Sequence, residues 1–324
     1  MGKLSPNIGV VVRALNEEEH IGRLLTGLSQ QTRVPDRIVL VDSGSDDSTI
    51  SIAERLGAEI AHIKPQDFSF GRSLNVGFEA CETDVVLVLS AHVYPLFDSF
   101  VENLVAPFAD ESVAVTYGRQ VGDWRTQFSE MRIMRQWFPE SGSGPQEHPF
   151  SNNANACVRR SVWELMPYDE NLTGLEDMDF ASRAQSKGFE VHYVAEAPVV
   201  HVHQETWSQL VNRYRREAIA YRRLNSGWRM GALEALGTAT RNFAADLAHA
   251  AMERRPFSDI PRSAGFRAAQ FWGTWQGAQV GRDIDEKLLR RMYYPAKVQP
   301  FEELDQRIGR PIDYASHESH SNVD

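Results

Sequence analysis

Three apolar runs constrain this chain more than any other feature. "IGVVV" (8–12), "RIVLVD" (37–42) and "DVVLVLS" (84–90) carry apolar side chains at successive positions, so both faces of each strand must be buried, and each run ends in polar residues. Between them, Ile21, Leu24, Leu25 and Leu28 repeat at helical spacing, "TISIAERLGA" reads as a helix closed by Gly57, and "SFGRSLNVGFEACE" reads as a turn and helix. Strands apolar on both faces, alternating with helices, predict an α/β fold: a mostly parallel, Rossmann-like sheet flanked by helices. In such sheets ligands bind beyond the C-terminal ends of the strands. The polar turns at Asn16, Asp42 and Ser90 all fall there, so a site is expected at that edge.

The remainder of the chain bounds the alternatives. Its 324 residues suit one large domain plus an appendage. Charge is uneven: residues 1–204 carry 16 Lys and Arg against 29 Asp and Glu, whereas residues 205–300 carry 16 against 9. An acidic front argues against nucleic-acid binding, while a basic back leaves room for an anionic surface. Cys81 and Cys157 alone make neither a disulfide framework nor a zinc ribbon, which points to a reducing cytosol. No run is long and apolar enough for a signal core or a membrane span.

Residues 119–150 mix Trp124, Trp137 and the stretch "PESGSGPQEHP", the composition of a mobile loop. Beyond Trp207, "WSQLVNRYRREAIAYRRL" and "GALEALGTATRNFAADLAHAAME" predict long amphipathic helices. The end, "RPIDYASHESHSNVD", is polar and expected to fray.

Several stretches carry chemistry. In "VDSGSDDST", Asp42 at a strand end suits a ribose hydroxyl or a pyrimidine N–H, or the segment is a turn in which Asp46 or Asp47 caps the next helix. The series "VVVRALNEEEHI", "VDSGSDDST", "SLNVGFEAC", "LSAHVYP" and "GLEDMDFASRAQSKGFEVHYV" resembles, in order and spacing, the family 2 glycosyltransferases of GT-A fold. The resemblance covers roughly residues 6–215 and is greatest to the bacterial rhamnosyltransferase-like branch. It implies an inverting enzyme that moves a sugar from a UDP-, dTDP- or GDP-linked donor to a hydroxyl of a glycan or lipid-linked acceptor, in polysaccharide or glycoconjugate assembly. The alternative is a catalytically silent GT-A-like binding or scaffold protein.

The resemblance also implies roles. Ala14, Asn16, Glu17, Asp42, Ser90 and Ala91 map onto the nucleotide site, with Arg72 meeting phosphate or uracil and Asn75 stabilising its turn; a solvated helix start is the other reading of Arg72. Asp177 maps onto the general base that deprotonates the acceptor hydroxyl, and Glu176 lies beside it. Asp179 reads as a helix N-terminal acid. At Ser90-Ala91-His92 the family carries an acidic stretch whose last position ligates Mg²⁺ or Mn²⁺. An imidazole at His92 favours Mn²⁺ over Mg²⁺. Three readings of His92 stand: a metal ligand shared with His201 or His203, a cationic group neutralising diphosphate without metal, or a hydrogen-bonded core histidine. Of His201 and His203, only one is expected to share an ion with His92. Trp124 and Trp137 could stack on acceptor sugars, or pack as a lid, and Asn153 and Asn155 could bond hydroxyls. Arg213 and Arg216 are candidates for the diphosphate, or part of a solvated basic face.

The expected organisation is a catalytic domain at 1–215, a helical region at 216–300 and a flexible polar tail at 301–324. The helical region either packs on the catalytic domain or a second subunit, or docks at the inner membrane face through Trp228, Phe266, Phe271, Trp272 and Trp275. The resulting expectation is a cytoplasmic enzyme, peripheral at the membrane, with a homo-oligomer among the outcomes.

Overall fold

The computed structural model describes residues 6–280 and 309–314. β1 (Ile8–Ala14), β2 (Arg37–Asp42), β3 (Glu59–His62) and β4 (Val85–Ser90) form a parallel block in spatial order β3-β2-β1-β4, connected through α1 (Ile21–Ser29), α2 (Thr49–Arg55) and α3 (Phe70–Ala80). The short β5 (Val93–Pro95) and α4 (Phe100–Val105) follow. β6 (Val113–Val121), α5 (Phe128–Trp137), β7 (Gly144–Pro145), β8 (Asn155–Arg159), α6 (Arg160–Leu165), α7 (Glu176–Ser186) and β9 (Glu190–His201) complete the sheet layer. β8 lies antiparallel between β4 and β6, β6 and β9 run with the first block, and β5 closes the far edge antiparallel to β9.

Why the strands read as apolar on both faces is visible in their packing. Ile8, Val10 and Val12 of β1, with Leu87 and Leu89 of β4, enter one core with Ile21, Leu24 and Leu28 of α1 and Phe100 of α4. Val11, Val86 and Val88 point the other way and meet Leu74 and Phe78 of α3, Trp163 of α6 and Phe180 of α7. Each fully buried Val, Leu or Phe contributes about 1.5–3 kcal/mol by leaving water, so alternate residues of one strand stabilise two separate layers.

Three helices follow the sheet: α8 (Trp207–Leu224), α9 (Ala232–Met252) and α10 (Asp259–Gln279). α10 lies so close to α8 that a Cβ on Gly273 would stand 2.3 Å from the Val211 carbonyl oxygen, and one on Gly277 would stand 2.3 Å from that of Arg215. Phe266 fills the seam with Leu210, so this aromatic ring is buried and is not available to a membrane. Asp246 of α9, fully buried, pairs with Arg267 of α10 and Arg132 of α5 and accepts from the Ser129 hydroxyl. The helical layer is thereby bound to α5.

Two expectations change. Residues 119–150 are not one loop: α5 occupies 128–137 and buries Phe128, Ser129, Glu130 and Met134. Its buried face is half polar, which hides a helical pattern from hydrophobic periodicity. Within the tail expected to be flexible, residues 309–314 pack on the sheet domain. Pro311 bridges Phe97, Ile312 N donates to Leu96 O, and the Tyr314 hydroxyl donates to Pro95 O. The remainder of 301–324 lies outside the described residues.

Candidate active site

Register brings the polar strand ends together. Ala14 pairs with Asp42, Arg13 with Ser90, and Asp42 with His62, so the loops after β1, β2 and β4 leave the sheet at one level. Asn16 adopts a left-handed conformation (φ 56°), which Asn tolerates because its side chain bonds locally. Its Oδ1 accepts from Asp46 N, while its own N–H donates to Ser45 Oγ. Glu17 N donates to Thr49 Oγ1, so the first and second turns are laced into one surface. Asp42 is 2% exposed, and its carboxylate accepts from Gly44 N and Ser45 N. Here Asp42 shapes the turn, and Asp47, accepting from Thr49 N, caps the start of α2.

The GLED segment arrives at the same edge. Leu175 is left-handed at φ 57°, a strained conformation for a γ-branched residue and one that clusters at functional sites. It turns the chain into α7 so that Glu176 Oε1 accepts from Arg13 Nη1 at 3.1 Å and from Asn153 Nδ2 at 3.3 Å. Asp177 accepts from Asn153 N at 3.1 Å and Met178 N at 2.8 Å. Asn153 stands just before β8, whose Asn155 pairs with Leu89, and Ser90 N donates to Ala154 O. Residue 177 is therefore a neighbour of the β4 end. Burial, reinforced by the charge of Glu176, raises the Asp177 carboxyl to about 7, with the two backbone donors and Arg13 opposing. Such a carboxyl is a base poised near neutral pH.

Past the end of β4 the three histidines gather. His92 and His201 stack with ring centroids 5.2 Å apart, and His201 and His203 meet edge to face at 4.0 Å. The expectation that only one of the pair reaches this place fails because residues two apart share a face of extended chain: β9 ends at His201, Val202 N donates to His92 O, and His203 Nε2 lies 3.0 Å from His201 Nε2. The outer nitrogens are held by oxygens: His92 Nδ1 by Glu17 at 2.9 Å, His201 Nδ1 by Gln120 Oε1 at 2.7 Å, and His203 Nδ1 by Glu130 at 2.6 Å. Burial holds His201 well below 6.5, with His203 and His92 adding to it, so its ring is neutral. Burial also opposes charge on His92, but Glu17 outweighs it and raises this ring above 6.5. Burial works against the Glu130 carboxylate too, yet Arg213 and His203 hold it at about 2.

These residues pass a test for a divalent cation. Two imidazole lone pairs facing at 3.0 Å repel unless a proton or a cation lies between them. Nitrogen donors backed by carboxylate and amide oxygens suit Mn²⁺ or Zn²⁺ better than Mg²⁺. Glu130, His203 and Glu205 also lie within 4.8 Å of one another, but Arg213 is 2.6 Å from Glu130 and 2.7 Å from Glu205 and takes the space between the carboxylates.

Residues 9–165 match the family model described as glycosyl transferase family 2. The O-antigen chain rhamnosyltransferase RfbN of Salmonella typhimurium is 29% identical over 220 residues, 64% of this chain and 70% of that one. WbaN of Salmonella anatum, named likewise, is 28% identical over 197 residues, 57% of this chain and 62% of its own length. Nearly half of this chain thus matches the family 2 glycosyltransferases. The glycosyltransferase shares its fold with a mannosyltransferase of Pyrobaculum calidifontis, solved with GDP-Man and Mn²⁺. That structure has a TM-score of 0.58, 16% identity, and coverage of 90% of this chain and 86% of that one. The GLED segment at 174–177 lies beyond the residues the family model matches.

The other anticipated residues of the glycosyltransferase divide between surface and scaffold. Arg72 is exposed at the start of α3, 3.9 Å from Glu170. Asn75, expected to stabilise this region, donates to Tyr168 O and Glu170 and accepts from Trp163 Nε1 and Tyr168 N. Asn153 (2% exposed) holds the carboxylate pair, and fully buried Asn155 donates to Arg119 O and Ala197 O, so neither side chain faces an acceptor. Trp124 and Trp137 are about half exposed, Trp137 stacked on Phe150 at 4.6 Å. Arg213 is engaged with Glu130 and Glu205, and Arg216 lies over the Phe70 ring at 4.5 Å, as Arg13 does at 4.9 Å. Sequence reasoning missed Arg13, Gln120, Glu130 and Glu205. Only Glu205, two residues after His203, carried a local signal.

Proposed function

We propose that this glycosyltransferase moves a deoxyhexose or hexose, with inversion, from a nucleoside diphosphate sugar to a hydroxyl of a growing bacterial surface polysaccharide. One observation carries the reading: Asp177 is a half-neutralised carboxylate at the sheet edge shared with Ala14, Ser90 and His92, aimed by two backbone N–H groups. A base with a pKa of about 7 is ionised often enough to accept a hydroxyl proton, and basic enough to want it. Glu176, tied to Arg13, fixes the start of α7 and keeps its neighbour's proton affinity high.

The nucleotide would lie over the laced turns of Asn16–Glu17 and Asp42–Ser45, with the diphosphate toward His92 and the histidine pair. His201 and His203 would hold a divalent ion, which offsets the negative charge gathering on a departing diphosphate. His92, whose ring Glu17 favours in the charged form, would stand beside them as a further positive group. Trp137 on its Phe150 platform offers an acceptor sugar a flat apolar face. Among the described residues no helix is long and apolar enough to cross a membrane. The α9–α10 layer exposes Leu233, Leu236, Met252 and Phe257, and we assign it to contact with the cytoplasmic membrane face, where a lipid-linked glycan would be presented.

The test is a transfer assay with UDP-, dTDP- and GDP-linked sugars. Turnover that Asp177→Asn removes supports the reading; nucleotide binding without turnover in the wild type establishes a silent binding protein instead.

A further inference from the structure

Glu130 belongs to none of the motifs that mark the site, yet it is the most constrained carboxylate near the histidines. It projects from the first turn of α5, is 5% exposed, and places Oε1 2.6 Å from both His203 Nδ1 and Arg213 Nη2. A carboxylate held by a guanidinium can only accept, so the imidazole nitrogen facing it must carry the hydrogen. His203 thereby carries a hydrogen on Nδ1, and in the neutral ring its other nitrogen presents a lone pair toward His201 Nε2 at 3.0 Å, where a proton or a cation can be held. With the proton on Nε2 instead, the ring would offer Glu130 a second lone pair, and no donor would meet the carboxylate on that side.

The helix that carries Glu130 is held from behind. Adjacent Ser129 donates its hydroxyl to buried Asp246 at 2.6 Å, and Arg267 Nη2 donates to Ser129 O. Arg267 in turn forks onto both oxygens of Asp246. A residue on a connecting helix gains the rigidity of a buried ion-pair network two helices away, which a carboxylate on a loop would lack.

We propose that Glu130 is a positioning residue: it locks the His203 tautomer and ring so that His201 and His203 together present nitrogen lone pairs to a divalent cation. This rests on the assignment of a cation to that pair. Arg213, bound to the same oxygen, keeps Glu130 in place and is itself drawn away from bulk solvent, so it contributes to the site through Glu130.

The test uses calorimetric titration of Mn²⁺ into the full chain, as wild type, Glu130→Gln and Glu130→Ala, with thermal melts confirming that each is folded. Both substitutions remove the same charge beside Arg213, so the difference between them reports the hydrogen bonds that the side-chain oxygen accepts from His203 and Arg213, and the spectra below single out the His203 bond. The amide oxygen still accepts from Nδ1–H. The expected result is Mn²⁺ affinity about 10–100-fold weaker in Glu130→Ala than in Glu130→Gln. ¹⁵N–¹H correlation spectra should show His203 as the Nδ1–H tautomer in the wild type and lose that signature in Glu130→Ala. Wild type that binds Mn²⁺ with both variants matching it, or matching each other, overturns the proposal alone. Wild type that binds no Mn²⁺ overturns the cation assignment beneath it.

Discussion

Replacing Asp177 by Asn separates two consequences of its raised pKa. The carboxyl stands at about 7 against an ordinary 3.8, a preference for the neutral form of about 4 kcal/mol if fully attributed to this group. Asp177 is only partly buried and shares its field with Glu176, so about half of that, ~2 kcal/mol, is the usable figure. The sign follows from proton binding. The folded protein holds this proton more tightly than the unfolded chain, so the contribution to stability is full below pH ~4 and is lost as pH rises through about 7. The amide cannot ionise and forfeits that dependence. It also weakens one of the two backbone hydrogen bonds, but by the same amount at every pH. Melting curves at pH 5 and pH 9 should therefore move in favour of Asp177→Asn by about 2 kcal/mol on going to the higher pH, roughly 5 °C. Transfer should meanwhile fall about 10²–10⁴-fold, and the wild-type kcat/KM should rise through an acid limb near pH 7. A constant offset between the two melting curves, or a variant keeping a tenth of its activity, would refute the reasoning.

Chelation by EDTA should abolish transfer, and UDP with Mn²⁺ should raise the melting temperature in wild type but not in His92→Ala; activity indifferent to EDTA counts against the cation. Asp246→Ala leaves Arg267 buried beside no counter-charge and should cost about 3–5 kcal/mol in urea unfolding; a loss under 1 kcal/mol would mean that the network is dispensable. Gly277→Ala puts a methyl against the Arg215 carbonyl and should cost about 1–3 kcal/mol as α8 and α10 separate, read in the same assay. Trp137→Ala should raise the acceptor KM roughly 3–10-fold while leaving donor hydrolysis unchanged, and an unaltered KM would remove it from the acceptor site.

The parts of the fold legible in the sequence are those written in apolar alternation. β1, β2 and β4 announce themselves because their central residues are buried on both faces, and their polar ends mark the site edge directly. α7 is legible from its acidic first turn and from Gly188 after its end. What escaped notice depends on contacts between distant segments. α5 was obscured because Ser129 and Glu130 on its inner face are satisfied by α9, α10 and His203, partners more than 70 residues away. The His201–His203 geometry was misjudged because residues two apart in an extended chain share a face, which brings both rings to one side. Asp42 and Asn155 also serve the scaffold, Asp42 accepting from Gly44 N and Ser45 N and the Asn155 amide donating to Arg119 O and Ala197 O, and local sequence does not reveal where such backbone groups will lie.

The segment 309–314 has a temporal consequence. Arg23 lies with its guanidinium over the Tyr94 ring at 4.4 Å and the Tyr314 ring at 4.8 Å, so a cation near the beginning of the chain waits for an aromatic near its end. On the ribosome, at about 5–20 residues per second, the parallel sheet can assemble while that second ring has yet to be synthesised. The face of α1 and β5 that Tyr314 covers therefore stays open to water until residue 314 has been made, well after the sheet beneath it can form.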